Sequence, residues 1–153
     1  MKIVSVDSQA RILAEEEVLA LLREPIVMRL GMVDEKGWPL VIPVWHVYEN
    51  DVFRIAVGST SHKANVLRKN QRAYFTVDTG GSSGDTRGVR GRASVRIIDS
   101  DTRLAVDVTR KGLAKYTGTD EGPHADEMLK WAREGGMSVI ELTPLRFGAF
   151  SYE

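Results

Sequence analysis

The sequence contains no cysteine, which excludes disulfide bonds, thiolate nucleophiles and cysteine-ligated metal sites. It also lacks any apolar run near the roughly 18 residues that a membrane-spanning helix needs, and its first residues do not resemble a signal peptide. The 21 lysines and arginines balance 21 aspartates and glutamates, so no net charge favours nucleic acid or an anionic membrane. We therefore expect a cytoplasmic protein without a membrane or nucleic-acid partner.

Positive charge is nevertheless concentrated in two segments of the chain. Every formal charge between Asp51 and Asp78 is positive, and so is every one between Asp85 and Asp99. These cations are Arg54, Lys63, Arg68, Lys69, Arg72, Arg87, Arg90, Arg92 and Arg96. A neutral protein with two local basic segments suits a small anionic ligand better than a long polyanion.

The 153 residues predict one domain, and the spacing of strand-forming runs predicts its class. Runs at residues 26–33, 38–48 and 52–57 are joined by short turns, which favours an antiparallel barrel or sandwich over a parallel sheet. Pro43 removes a ladder donor, so it belongs at a sheet edge or a bulge. Further strands are predicted at residues 3–6, 73–77, 88–98, 137–142 and 146–152, and helices at residues 14–24, 62–70, 101–116 and 125–134.

Local signals refine this outline at three places. Ser100 is predicted to cap the third helix, and residues 78–85 form a flexible connection rich in glycine and serine. In the strand at 88–98, one face carries the small or medium residues Val89, Gly91, Ala93 and Val95. Small side chains there leave room for a close approach, although a barrel corner explains Gly91 equally well.

The stretch that follows residue 57 predicts an anion site in outline. Ser61, or Thr60 before it, is a good N-cap for the helix at 62–70, whose first free amides point back toward the loop. Lys63 lies in the first turn, where a cation opposes the helix dipole and is better tolerated beside an anion. Such capped helices are common, however, and most of them bind only water.

The three histidines, His46, His62 and His124, have no metal-ligand spacing, so no metal site is expected. Trp45 and His46 are adjacent on a predicted strand. They are interpreted either as a packed aromatic ring and a hydrogen-bonded core imidazole, or as the lining of a pocket that ends at the anion site. His46 is the one nearby group that titrates near neutrality.

Taken in order, these motifs resemble the FMN-binding split-barrel proteins related to pyridoxamine 5′-phosphate oxidase, a group that includes binders of the deazaflavin F420. The matching segments are GWPLVIPVW at residues 37–45, SHKANVLRKNQR at 61–72 and VRGRA at 89–93. The resemblance implies a mainly β split barrel with flanking helices, FMN as the cofactor with F420 as the alternative, and a homodimer whose sites are shared between chains.

The resemblance also implies which residues bind the cofactor. Ser61, His62 and Lys63, with Thr60 beside them, would surround its phosphate. The walls of the ring site would come from Ile42, Pro43, Val44, Trp45, Ile55, Ala56 and Val57. No catalytic residue is assigned.

One departure limits what the resemblance implies about the reaction. The C-terminal segment 143–153 lacks the Arg-x-His pattern that grips the substrate in the oxidase proper, so the substrate stays open. We expect an FMN-dependent oxidoreductase that acts on a small conjugated molecule by hydride or electron transfer. The alternatives are an F420-binding reductase, a non-catalytic FMN-binding protein or electron carrier, and a small barrel that binds single-stranded nucleic acid, which the neutral charge disfavours.

Overall fold

The computed structural model describes residues 1–80 and 85–152. Its strands are β1 (Ile3–Val4), β2 (Met28–Val33), β3 (Pro39–Val44), β4 (Val47–Glu49), β5 (Val52–Gly58), β6 (Arg72–Asp78), β7 (Thr86–Ile98), β8 (Met137–Pro144) and β9 (Phe147–Tyr152). Its helices are α1 (Glu15–Arg23), α2 (His62–Lys69), α3 (Thr102–Thr117) and α4 (Pro123–Arg133). The connection predicted at residues 78–85 lies in part outside the described residues.

Within those ranges, nine strands form one curled sheet in which β7 is the central element. The sheet order is β3-β2-β6-β7-β8-β5-β4, and nearly all neighbours are antiparallel. One edge of β7 pairs with β6, while its other edge pairs first with β9 and then with β8. β1 adds to β9 as a short parallel strand. Because β7 divides one edge between two partners, the barrel is split there.

The core lies inside this curled sheet and follows the alternation of the strands. Along β5 the burial alternates strictly, and β6 buries every second residue. Phe53, Phe75 and Phe147 meet at the centre, with ring centroids between 5.0 and 6.1 Å apart. Tyr48 packs against Phe53 from the side of β4.

The helices in the described residues begin and end within two residues of the predicted bounds, but one predicted cap is wrong. α1 begins with three glutamates in its first turn and is followed by Pro25, as predicted. The prediction that Ser100 caps α3 is wrong. The N-cap is Asp101, whose carboxylate accepts the backbone N–H of Leu104 at 3.0 Å, while Ser100 takes a left-handed backbone with φ of 60°. In the described ranges, no helix combines the length and apolar character needed to cross a bilayer.

The strand predicted at residues 38–48 is two strands. β3 pairs with β2 and ends at Val44, and β4 then pairs with β5, so the chain changes partners at Trp45 and His46. Pro43 lies on β3, which is an edge of the sheet, and this placement confirms the prediction drawn from its missing N–H.

The close approach predicted at the small-residue face of β7 is made by the chain itself. A Cβ at Gly91 would lie 2.4 Å from the carbonyl oxygen of Arg146 and 3.4 Å from the ring of Phe75. Val89, Gly91, Ala93 and Val95 are all buried. The face therefore packs into the barrel where β7 passes between its two partners, in agreement with the barrel-corner interpretation.

Candidate ligand-binding site

The N-terminus of α2 has the predicted cap and an uncompensated positive end. The Ser61 hydroxyl accepts the backbone N–H of Ala64 at 3.4 Å, and the Thr60 carbonyl accepts the Asn65 side-chain amide at 3.5 Å. The first turn contains no acidic residue. Lys63 is half-buried and has no ion pair with any described residue, and His62 is exposed. The helix end therefore offers amides and a cation without a carboxylate of its own.

A cleft of about 420 Å³ runs from His62 along α2. It is lined on the helix by His62, Asn65, Val66 and Lys69, and on the opposite side by residues 34–36 of the β2–β3 turn. Both acids of that turn are engaged. The Asp34 carboxylate accepts the backbone N–H groups of Lys36 and Trp38, each at 2.9 Å, and Glu35 is paired with Lys69.

A second and larger depression crosses the outer face of β2, β3, β6 and β7. The row Val41, Gly31, Tyr74 and Arg92 runs across the four strands in register, and the missing side chain of Gly31 lowers its middle. The resulting groove has a volume of about 740 Å³ and a mainly apolar lining. Val41, Tyr74 and Leu145 stay 66%, 48% and 63% exposed. An exposed apolar groove of this kind marks a ligand or protein contact.

The cleft and the groove are lined by neighbouring residues of the β2–β3 connection and of the segment that ends α2. Val33 lines the groove and its neighbour Asp34 lines the cleft; Lys69 lines the cleft and Gln71, two residues on, lines the groove. The cleft and the groove are therefore neighbouring spaces, although they share no lining residue and Lys63 lines neither of them.

The structure distributes the predicted ring-site residues over several environments. Ile55, Val57 and Val44 point into the barrel core, where they are 1%, 3% and 6% exposed. Ile42 packs against the same core, and Pro43 is exposed on the edge strand. Only the backbone of the buried residues is left to contact a ligand from outside the barrel.

Trp45 and Ala56 belong instead to the layer beneath α3 and α4. The Trp45 ring stacks on the Tyr116 ring, with centroids 5.1 Å apart and planes within 7° of parallel. Trp45, His46 and Ala56 line a cavity of only about 30 Å³. This space is large enough for about one water molecule and far too small for a flavin ring.

His46 is a buried structural residue. Its Nε2–H donates to the Ile26 carbonyl at 3.2 Å, and its Nδ1 is buried without a hydrogen-bond partner among the described residues. Burial, reinforced by the charge of Lys115, lowers the pKa of His46 to about 3. The imidazole is therefore neutral near pH 7 and does not serve as a proton donor there, in agreement with the core-histidine interpretation.

Several residues that form the groove were not identified by the sequence analysis. Arg72, Tyr74, Arg92 and Leu145 come together only through pairing between strands that are distant in the sequence. One signal was present: Arg72, Tyr74 and Thr76 alternate with the buried Ala73, Phe75 and Val77, so Tyr74 stands on the outward side with two polar residues. A large aromatic residue at an outward position indicates a contact surface.

Comparison with known proteins places the fold and the family. A mainly antiparallel barrel that is split at a shared strand and flanked by helices is the split-barrel fold, as predicted. The pyridoxamine 5′-phosphate oxidase family model matches residues 14–150. The chain belongs to the pyridoxamine 5′-phosphate oxidase family.

Solved structures share this fold at low sequence identity. A conserved hypothetical protein from Mycobacterium tuberculosis aligns with a TM-score of 0.81 and 17% identity, over 98% of this chain and 91% of that one. An FAD-binding protein from Mesorhizobium loti aligns with a TM-score of 0.69 and 18% identity, over 94% and 99%. An F420 reductase aligns with a TM-score of 0.66 and 21% identity, over 88% and 98%. No curated protein matches the sequence.

Proposed function

We propose that this chain binds FMN, with its phosphate at the N-terminus of α2, and uses it as an oxidoreductase on a small conjugated substrate. The observation that supports the proposal is that the cleft beginning at His62 lies next to the apolar groove. The phosphate end of such a ligand needs free amides and cations, and the ring end needs a flat apolar surface. α2 and the outer sheet face supply these two surfaces side by side.

The residues at the helix end fit a phosphate. Lys63 and His62 flank the free amides of the first turn, and the Ser61 side chain orders the turn by accepting the Ala64 N–H. The carboxylates of Asp34 and Glu35 face the cleft but already have partners. An incoming phosphate would therefore relieve the unfavourable placement of Lys63 against the helix dipole.

The residues around the groove suit a protein that binds and orients a flavin rather than one that supplies an acid or a base. A bound flavin supplies the electron-transfer chemistry, and this chain binds it, orients it and limits its contact with water. Tyr74, Val41 and Leu145 offer apolar contact area, while His46 is neutral and enclosed. Transfer of a hydride or of electrons to a planar acceptor suits this arrangement, because it needs no protein acid–base pair.

We propose further that the working form is a homodimer in which a second copy covers part of the groove. Val33, Val41 and Tyr74 on β2, β3 and β6, with Leu145 in the β8–β9 turn, form an exposed apolar surface around the groove. A stable dimer buries about 800 Å² on each partner, so residues around the groove from both copies would meet at the cofactor.

The absorbance spectrum and two titrations test the cofactor. Oxidised FMN would add its visible bands to the purified protein, F420 would add its shorter-wavelength deazaflavin band, and a heme Soret band or no bound chromophore would contradict the proposal. We expect Lys63→Ala to weaken FMN binding by about 1.5–3 kcal/mol and to leave riboflavin, which lacks the phosphate, unchanged. Lys130→Ala, at an exposed position of α4, is the matched control. Equal weakening of both flavins would remove Lys63 from the phosphate site.

Turnover separates an enzyme from an electron carrier. The reduced protein is mixed anaerobically with quinones, nitroaromatics or oxygen in a stopped-flow instrument, and its reoxidation is compared with that of free FMN. Reoxidation by one acceptor well above the rate of free flavin supports an oxidoreductase. Rates no higher than free flavin for every acceptor would instead assign a storage or electron-carrier role.

A further inference from the structure

Three arginine side chains surround a pocket on the opposite side of Tyr74 from the centre of the groove. Arg90 and Arg92 occupy alternate outward positions on β7, and the turn between β8 and β9 brings Arg146 beside them. The Leu145 N–H donates to the Arg92 carbonyl at 2.9 Å, and the Arg146 carbonyl approaches Gly91. The three arginines line a pocket of about 400 Å³ together with residues 4–6.

The arginines of this pocket have few acidic partners. In residues 1–80 and 85–152, no carboxylate forms an ion pair with Arg90, Arg92 or Arg146, whereas Arg54, Arg68 and Arg96 each have at least one. The charge of Arg90 acts on the carboxylate of Asp7. A hydrogen bond from the Tyr152 hydroxyl lowers the pKa of Asp7, and the charge of Arg90 contributes less. Like charges gathered without counterions repel one another, and an anionic ligand would relieve that repulsion.

The pocket is continuous with the apolar groove. Tyr74 and Arg92 line both spaces, and the two residues are direct cross-strand neighbours on β6 and β7. Arg90 also lies over the Phe150 ring, with its guanidinium carbon 5.9 Å from the centroid, which holds its side chain on this face. A flat molecule in the groove would therefore present substituents at its edge to the arginines.

We propose that Arg90, Arg92 and Arg146 bind the acidic groups of the substrate, a planar conjugated molecule with at least two negative charges whose apolar part lies in the groove. Guanidinium groups are planar forks that bind carboxylate or phosphate oxygens in pairs, so both acids fit this chemistry. The choice of substrate rests on the proposed function, but the binding step needs no cofactor.

Calorimetric titration of the cofactor-free protein at low salt tests the arginines directly. The probes are benzene-1,3-dicarboxylate, phenyl phosphate and the uncharged benzamide. We expect the two anions to bind, the better one identifying the preferred acid, and benzamide to bind at least tenfold more weakly. Arg92→Gln and Arg146→Gln should each weaken the anions about tenfold. Arg96→Gln, on the same strand but paired with Glu141, is the control and should change little.

Three outcomes would overturn the assignment: no binding of either anion, binding that is insensitive to Arg92→Gln and Arg146→Gln, or equal binding of benzamide. FMN titrated into the same variants separates this inference from the proposed function. Failure of FMN to bind the wild type while the anions bind would contradict the cofactor proposal alone. If Arg92→Gln weakened FMN binding as much as anion binding, the pocket would be part of the cofactor site and the substrate assignment would be wrong.

Discussion

The Lys115 ammonium donates a hydrogen bond of 2.9 Å to the backbone carbonyl of His46, at the point where the chain leaves one strand partner for another. The same ammonium donates to the Leu22 carbonyl at 2.7 Å, near the end of α1. The Tyr116 hydroxyl donates to the Ile26 carbonyl at 2.9 Å. The C-terminal part of α3 thus satisfies carbonyls that no sheet ladder reaches, and burial lowers the pKa of Lys115 to about 8.

We expect Lys115→Met to destabilise the fold. The substitution retains the length of the side chain but leaves the Leu22 and His46 carbonyls without their donor, at a cost of about 1–3 kcal/mol. Urea unfolding followed by circular dichroism measures the difference, and Lys130→Met on the surface of α4 provides the matched control. Equal midpoints for the two variants would show that water replaces the ammonium at no cost.

His46 should make the fold less stable as the pH falls. Its pKa is about 3 in the folded protein and 6.5 as the ordinary value, so between these limits the unfolded chain binds the extra proton. Stability is therefore fully present above pH 6.5 and is lost as the pH drops toward 3, by up to about 1.4 kcal/mol per pH unit. Urea unfolding from pH 7 to 5 should show a shallower slope for His46→Gln than for the wild type. Identical slopes, or titration of the His46 imidazole near pH 6.5 in NMR spectra of the folded protein, would contradict its burial.

Two glycine-to-alanine substitutions should act in opposite directions. The new methyl group of Gly91→Ala would lie 2.4 Å from the Arg146 carbonyl oxygen, so the barrel must shift, and we expect a loss of about 1–3 kcal/mol. In Gly112→Ala the nearest atom is a Trp45 ring carbon at 3.6 Å, an ordinary contact inside α3. Alanine favours a helix over glycine by about 1 kcal/mol, so this variant should be neutral or more stable. Thermal unfolding compares the pair, and a stable Gly91→Ala would refute the close crossing.

A charge placed in the groove should separate the proposed dimer. Tyr74→Glu and Val41→Glu each introduce a carboxylate into the apolar surface, which an interface would have to bury. Sedimentation equilibrium should give about twice the chain mass of 17.0 kDa for the wild type and about the chain mass for these variants. Ile12→Glu, an exposed apolar position outside the groove, is the control. A wild-type monomer that still binds FMN tightly would remove the idea of a shared site.

Most elements of the fold follow from local signals in the sequence. The Ser61 cap, the alternation of β5 and β6, and the missing donor of Pro43 are each visible within a few residues. The change of partners at Trp45 and His46 is not visible, because both residues are compatible with a continuing strand. Only the distant Lys115 and Tyr116, which satisfy the backbone there, explain why the strand ends.

The candidate site was predicted at its helical end and missed at its sheet end. Thr60, Ser61, His62 and Lys63 are consecutive, so their grouping is a property of the sequence. The groove depends on register: Tyr74 faces Gly31 on one side and Arg92 on the other only because three strands pair as they do. The side chains of Ile55 and Val57 are buried in the barrel core, so only their backbone is left as a predicted cofactor contact.

The shared edge of β7 has a consequence for how the protein is made. The strands that complete that edge, β8 and β9, follow two helices and end at Tyr152, so β7 leaves the ribosome long before these two partners exist. Contacts between distant segments slow folding, and an unpaired strand edge is prone to associate with other chains. During synthesis, α3 and α4 would be complete before the barrel closes. We expect the nascent chain to depend on chaperone protection until residues 137–152 have emerged.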